Sequence, residues 1–146
     1  MISFDTNLAV YAANSSMPQH AAARQFIESL ASRDDVVIGE LMLVELYLKL
    51  RNPRIFPNPM DAPTAVAWCD RFRDHQDWLL VESAPVMSEV WRLSAKDDFA
   101  FRRIIDARLA LTLRHHGVTE FATSNLKDFD GFGFTRVWNP VETIGP

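Results

Sequence analysis

The sequence predicts an α/β layered domain built on a mostly parallel sheet. Short apolar runs of strand length alternate along the chain with stretches of helical periodicity, the pattern of strand–helix units. The chain has 146 residues, close to the roughly 100–150 residues of one typical domain, so a single domain over 1–146 is expected. With 48% hydrophobic and 23% charged residues and only 5 glycines, the composition suits a packed core rather than a disordered chain. One cysteine, Cys69, excludes an internal disulfide framework and a multi-cysteine zinc site, and beside Trp68 it reads as a small buried apolar residue.

Ile2-Ser3-Phe4 is a short strand leading to Asp5. Asp5-Thr6-Asn7 then offers capping side chains ahead of a helix over Leu8–Ala13. Ala23, Phe26, Ile27 and Leu30 recur at helical spacing and set a second helix over about His20–Ser32. Val36-Val37-Ile38 is a β-branched buried strand, and helical pattern resumes from Glu40 to about Leu50. Four of the eight prolines fall between Asn52 and Pro63, too dense for a regular element, so this stretch is a connecting loop. A helix over Ala65 to about His75 and a strand Trp78–Val81 follow, and Pro85 starts a helix to about Ala95. Phe101–His115 is a further helix, ended by Gly117 at the favoured position just past it. Val118–Thr123 and Thr135–Trp138 are the last strands, and Asn139-Pro140 stops the second of them.

The formal net charge of −4, from 19 acidic and 15 basic residues, argues against nucleic-acid binding by bulk positive field. It leaves room for an enzyme with a local basic strip around an acidic site. The start Met1–Asp5 has no basic, long-apolar leader character. The longest apolar run, Leu41–Val44, is far too short to span a bilayer. A soluble, cytoplasmic chain without membrane attachment is the expectation.

In open parallel sheets, ligands bind outside the carboxyl ends of the strands. That singles out Asp5, Gly39-Glu40, Glu82 and Ser124-Asn125. Asp5 reads equally as a helix N-cap. Glu45 is a lone charge among Leu41, Met42 and Leu48, either paired with Lys49 one turn on or bordering the interior for a reason. Asp106 reads as a surface partner of Arg102, or as a group on the half-buried face of Ala110 and Leu113. Asn125 and Asp128 read as turn formers or as site groups. Taken together, these residues bring oxygen ligands from distant segments toward one end of one sheet. Carboxylates without His or Cys are the ligand set of Mg²⁺ or Mn²⁺, and such a site suits phosphodiester cleavage.

These segments resemble the PIN-domain family. The resemblance rests on Ile2–Asn7, on Glu45 in a helix, on Asp106–Ala110 with His116-Gly117-Val118, and on Thr123–Phe129. Asn52–Phe56 and Val137–Pro140 are similar, more narrowly, to VapC-type toxins of bacterial toxin–antitoxin pairs. The resemblance covers nearly the whole chain. It implies a three-layer domain of about five strands in the order 3-2-1-4-5, and a Mg²⁺-dependent endoribonuclease, with Mn²⁺ as a substitute ion. It further implies an RNA substrate, a cognate antitoxin protein that blocks the site, and a homodimer. Carried over by position, Asp5, Glu45 and Asp106 would be the catalytic metal-binding carboxylates. The fourth acidic position falls on Asn125, with Asp128 three residues later as the alternative.

Rival readings are weaker. A haloacid-dehalogenase-type phosphatase needs a second Asp where Asn7 stands, and a receiver domain needs paired acids at Asp5. The alternative within the fold is an inactive PIN-like RNA-binding or regulatory domain. Arg51, Arg54, Arg102, Arg103 and Lys127 flank the acidic positions and form the expected RNA-binding strip. His115-His116 reads as a helix C-terminal pair, and Asp97-Asp98 complements a helix dipole, with Asp98 a lesser candidate for the outer surroundings of the metal. Trp68, Phe72, Trp91 and Phe101 read as core or dimer surface.

Overall fold

A computed structural model describes residues 1–142. The last four residues of the expected 1–146 domain lie outside them. In chain order the elements are β1 (Ile2–Phe4), α1 (Thr6–Ala13), α2 (His20–Leu30), β2 (Val37–Gly39), α3 (Glu40–Leu50) and α4 (Ala62–Arg73). There follow β3 (Leu79–Val81), α5 (Met87–Ser94), α6 (Arg103–His115), β4 (Glu120–Ala122), a 3-10 turn (Leu126–Phe129) and β5 (Arg136–Trp138).

All the strand pairings are parallel. β4 lies between β1 and β5, and β2 pairs with β3. The two sheets meet at one parallel bridge, Ile2 to Val36, where the Ile2 N–H donates to the Asp35 carbonyl at 2.9 Å. Read across that bridge, the strand order is 3-2-1-4-5. The first three crossovers carry α-helices, the standard solution for joining parallel strands, and the β4–β5 crossover carries only the 3-10 turn.

Because successive strand residues point to opposite faces, each strand feeds two cores. Ile2 and Phe4 enter one packed against α1 to α4, while Val37 and Phe121 enter another with Ala107, Leu109, Ala110 and Leu113 of α6. Phe4 is fully buried and meets Phe26, Phe72 and Trp78 edge-on, with ring centroids 6.3, 6.0 and 6.1 Å away. This aromatic contact fixes the last residue of β1, and with it the direction in which Asp5 leaves the sheet.

Several boundaries differ from the sequence reading. Pro63 stands inside the first turn of α4, where the missing N–H costs nothing, and Asp61 caps that helix by accepting from the Thr64 N–H at 2.9 Å. The proline-rich loop is therefore shorter than expected. Helix α5 starts at Met87 rather than Pro85, α6 starts at Arg103 rather than Phe101, and the turn suggested by Asn125 and Asp128 takes 3-10 form over Leu126–Phe129. Phe72 is buried and Trp68 half-buried, as core residues, whereas Trp91 and Phe101 are 60% and 79% exposed.

Phe4→Ala should cost about 3–5 kcal/mol of unfolding free energy in a urea titration, the range for a buried aromatic that leaves a cavity. A cost under about 1 kcal/mol would mean that the aromatic cluster does not hold β1.

Candidate metal-dependent nuclease site

The register of β1 against β4 builds the centre of the site. Phe4 lies opposite Ala122, so the next residues, Asp5 and Thr123, emerge side by side, with the Asp5 N–H on the Ala122 carbonyl at 2.8 Å. Asp5 occupies the N-cap position of α1, but its side chain makes no cap hydrogen bond. Instead its Oδ2 accepts from the Thr123 hydroxyl at 2.9 Å, and the residue is only 6% exposed. The capping reading of Asp5 thus holds for the backbone and fails for the carboxylate.

Glu45 comes from the middle of α3, and its Oε2 accepts from the Thr6 hydroxyl at 3.2 Å. Of the two readings of Glu45, the pair with Lys49 does not form: Lys49 Nζ donates to Asn7 Oδ1 at 2.6 Å and sits where its charge reaches Asp5. Asp106, in the first turn of α6, is half-buried. Its carboxyl is pushed up to about 7, chiefly by burial, then by the negative charges of Asp5, Asp128 and Glu45, with Arg103 opposing. Burial likewise raises Asp5, against the Thr123 hydrogen bond and the Lys49 charge, while Glu45 adds to the rise. Asp5, Glu45 and Asp128, from three other segments, therefore all lie near enough for their charges to act on Asp106.

The two candidates for the fourth position face different ways. Asp128, in the 3-10 turn, is half-buried and contributes charge at Asp106. Asn125 donates its backbone N–H to the Thr123 hydroxyl at 2.9 Å, and its side chain lines an adjoining polar cavity. Of the other residues after strands, Glu40 pairs with Arg73 at 3.1 Å, and Glu82 is exposed. Asp98 is exposed in the α5–α6 connection, and His116 bonds the Ser83 carbonyl through Nε2 at 2.9 Å.

The expected basic strip divides. Arg51, Arg54, Arg102 and Lys127 are exposed, and Arg51 donates to the Tyr47 hydroxyl at 2.9 Å. Arg103 differs from expectation. It is half-buried and spent on structure, donating to the carbonyls of Asp128 and Asp130 at 3.0–3.3 Å and lying 5.1 Å over the Phe132 ring. It therefore holds the turn that carries Asp128.

Sequence reasoning missed Thr6, Lys49 and Thr123. Their roles are legible only once strand register and helix packing are known, although Thr123 does stand at the end of an anticipated strand.

Among the described residues, no three carboxylate, imidazole or thiol groups already enclose a point as a metal cage would. The donor set nevertheless fits a hard divalent cation. It offers oxygen only, and burial followed by the neighbouring negative charges raises the Asp106 carboxyl, a rise that a bound positive charge would oppose.

The PIN domain model matches residues 2–134 of this chain. Ribonuclease VapC24 of Mycobacterium tuberculosis (strain CDC 1551 / Oshkosh) is 52% identical over 145 residues, covering 99% of this chain and 100% of the relative. Among solved structures, Mycobacterium tuberculosis VapC20, described as a sarcin-ricin loop cleaving toxin, superposes with a TM-score of 0.65 at 18% identity. That match covers 92% of this chain and 97% of the other. FitAcB from Neisseria gonorrhoeae superposes with a TM-score of 0.62 at 18% identity, over 98% and 100% of the two chains. At such identities the superpositions establish the fold alone.

The raised Asp106 carboxyl gives the metal-free protein a pH dependence of defined sign. The folded state binds this proton more tightly than the unfolded chain does. The associated stability is fully present below the ordinary carboxylate value of 3.8 and is lost as pH rises toward 7. Asp106→Asn in EDTA should therefore melt higher than the parent at pH 8, and the gap should narrow as pH approaches 4. A thermal scan giving the same gap at both pH values would show that the carboxyl is not perturbed.

Proposed function

The chain belongs to the PIN-domain family, and on that premise we propose that it is a metal-dependent endoribonuclease, the toxin of a toxin–antitoxin pair. The convergence of Asp5, Glu45, Asp106 and Asp128 at the carboxyl ends of β1 and β4 carries this reading. Whole-length similarity to a ribonuclease supports it.

Asp5, Glu45 and Asp106 are the residues proposed to hold Mg²⁺ or Mn²⁺, with Asp128 favoured over Asn125 as the fourth group because its charge already acts at Asp106. When bound, the ion would activate water and neutralise charge on the transferring phosphate. The chain's own part is positioning. Thr123 locks the Asp5 carboxylate, Thr6 steadies Glu45, and Arg103 holds the backbone that presents Asp128. No side-chain nucleophile is required.

Exposed Arg51 and Arg54 lie just beyond the C-terminal end of α3, with Arg51 roughly 9 Å along the helix axis from Glu45 at ~1.5 Å per residue. They are proposed to hold the RNA backbone. The protein partners are a small antitoxin that covers the site and a second copy of this chain. The apolar groove of about 320 Å³ between α3 and α6, walled by Val44, Met87 and Ile105, supports the second copy, since such patches on soluble proteins commonly mark contacts. No helix among the described residues is long and apolar enough to cross a membrane.

Asp5→Asn, Glu45→Gln and Asp106→Asn should each lower the cleavage of total cellular RNA in Mg²⁺ by a hundred-fold or more while keeping the circular dichroism spectrum. EDTA should do the same to the parent. Cleavage that persists in EDTA would favour metal-independent chemistry, and a folded parent that binds RNA without cutting it would favour the non-catalytic reading.

Replacing Arg51 and Arg54 together with Gln should flatten the salt dependence of RNA affinity by about one to two phosphate contacts. An unchanged slope would place the RNA path elsewhere, with Arg102 and Lys127 next.

Ile105→Asp should convert a dimer to a monomer in sedimentation velocity. A dimer that survives the substitution would assign this groove to another partner.

A further inference from the structure

Two side-chain hydrogen bonds, side by side, join the first turn of α1 to α3. Thr6 donates to Glu45 Oε2 at 3.2 Å, and Lys49 Nζ donates to Asn7 Oδ1 at 2.6 Å. Lys49 follows Glu45 by one helical turn, about 6 Å along the axis and roughly 40° around it, so both residues lie on the face turned toward α1. Arg51 is rotated by roughly 120° from Glu45, and its guanidinium donates to the Tyr47 hydroxyl instead. Lys49 is thus the cation that α3 places on the wall of the acidic site.

Its bonding capacity is not used up there. Lys49 is half-buried, yet its partner is a neutral carboxamide, and among the described residues no carboxylate lies within ion-pair distance of it. An ammonium has three N–H donors, so the bond to Asn7 leaves two. Arg103, whose charge also acts on the cluster, differs, since the carbonyls of Asp128 and Asp130 hold its guanidinium. Partly burying an ammonium against a neutral group is a poor way to stabilise a fold. It is an effective way to hold a donor ready for an anion. The Asn7 bond also keeps the ammonium off Glu45, which leaves that carboxylate open to a metal ion.

We propose that Lys49 is a catalytic residue that donates to a non-bridging oxygen of the scissile phosphate. The proposal rests on the ribonuclease reading for its substrate. In the reaction a water oxygen bonds to phosphorus, the bond from phosphorus to one ribose oxygen breaks, and the proton that the water loses balances the one that the ribose oxygen gains. Lys49 gives up no proton. It answers the negative charge carried by the phosphate oxygens, as fixed cations do in phosphoryl transfer. Arg51 and Arg54 hold the strand, and Lys49 acts on the reacting group.

The competing role is structural, a lysine that only tempers repulsion among the acids. The two roles part in Lys49→Gln and Lys49→Arg, made in the full chain. In a Mn²⁺ titration followed by electron paramagnetic resonance without RNA, Lys49→Gln should take up the ion at least as tightly as the parent, because a competing positive charge is gone. That uptake also shows that the site has formed. Single-turnover cleavage of total cellular RNA, with protein and Mg²⁺ in saturating excess, should fall about a hundred-fold in Lys49→Gln, the scale of losing one charge-stabilising donor. Lys49→Arg, which keeps the charge but not the shape, should recover about ten-fold of that loss. Cleavage by Lys49→Gln within about three-fold of the parent would overturn the role and leave the nuclease standing. So would Mn²⁺ uptake that weakens in step with cleavage. A parent that does not cut RNA at all would overturn the nuclease reading and this role with it.

Discussion

The hydrogen bond from Thr123 to Asp5 is the contact on which the site's geometry turns. It exists because β1 and β4 run parallel and in a register that brings the residues following them together. A carboxylate 6% exposed is costly to keep charged, and this bond is the main local offset. The same hydroxyl accepts from Asn125, so one threonine couples the first strand's acid to the segment that carries the fourth candidate ligand.

Around that contact the fold concentrates negative charge instead of neutralising it. Glu45 arrives from α3, Asp106 from α6 and Asp128 from a 3-10 turn, while the nearest cations, Lys49 bonded to Asn7 and Arg103 to backbone carbonyls, offset that charge only in part. Burial first, and then the charges of the neighbouring carboxylates, raise the Asp106 carboxyl. A site that stores electrostatic repulsion in this way gains most from a small, hard, divalent charge. Under the proposed function, a chain of net charge −4 would meet its polyanionic substrate through the bound ion and the exposed arginines at the rim.

Much of this was legible in the sequence. Asp5, Glu45 and Asp106 could be singled out because each interrupts an apolar or capping pattern in a way that a surface residue need not. The helix and strand order followed from periodicity. What could not be read was anything that depends on register or on a short irregular turn. Thr123 looked like one more strand residue, because its partner lies 118 positions away in sequence. Asn125 and Asp128 could not be separated by residue type, since only the 3-10 turn between them leaves Asn125 at its start, lining a polar cavity, and puts the Asp128 charge near Asp106. Arg103 looked like a free cation until the carbonyls of Asp128 and Asp130 were seen to hold it. Pro63 looked like a loop residue because proline is read as a breaker, yet the first turn of α4 accepts it.

The most direct measurement is a Mn²⁺ titration followed by electron paramagnetic resonance, on the parent, Asp5→Asn and Thr123→Val. If Asp5 is the buried anchor of one shared metal site, the parent should deplete the free-ion signal in a saturable way. Asp5→Asn should leave that signal in solution, and Thr123→Val should weaken uptake without abolishing it. Equal Mn²⁺ uptake by the parent and Asp5→Asn would contradict a metal site organised around this carboxylate.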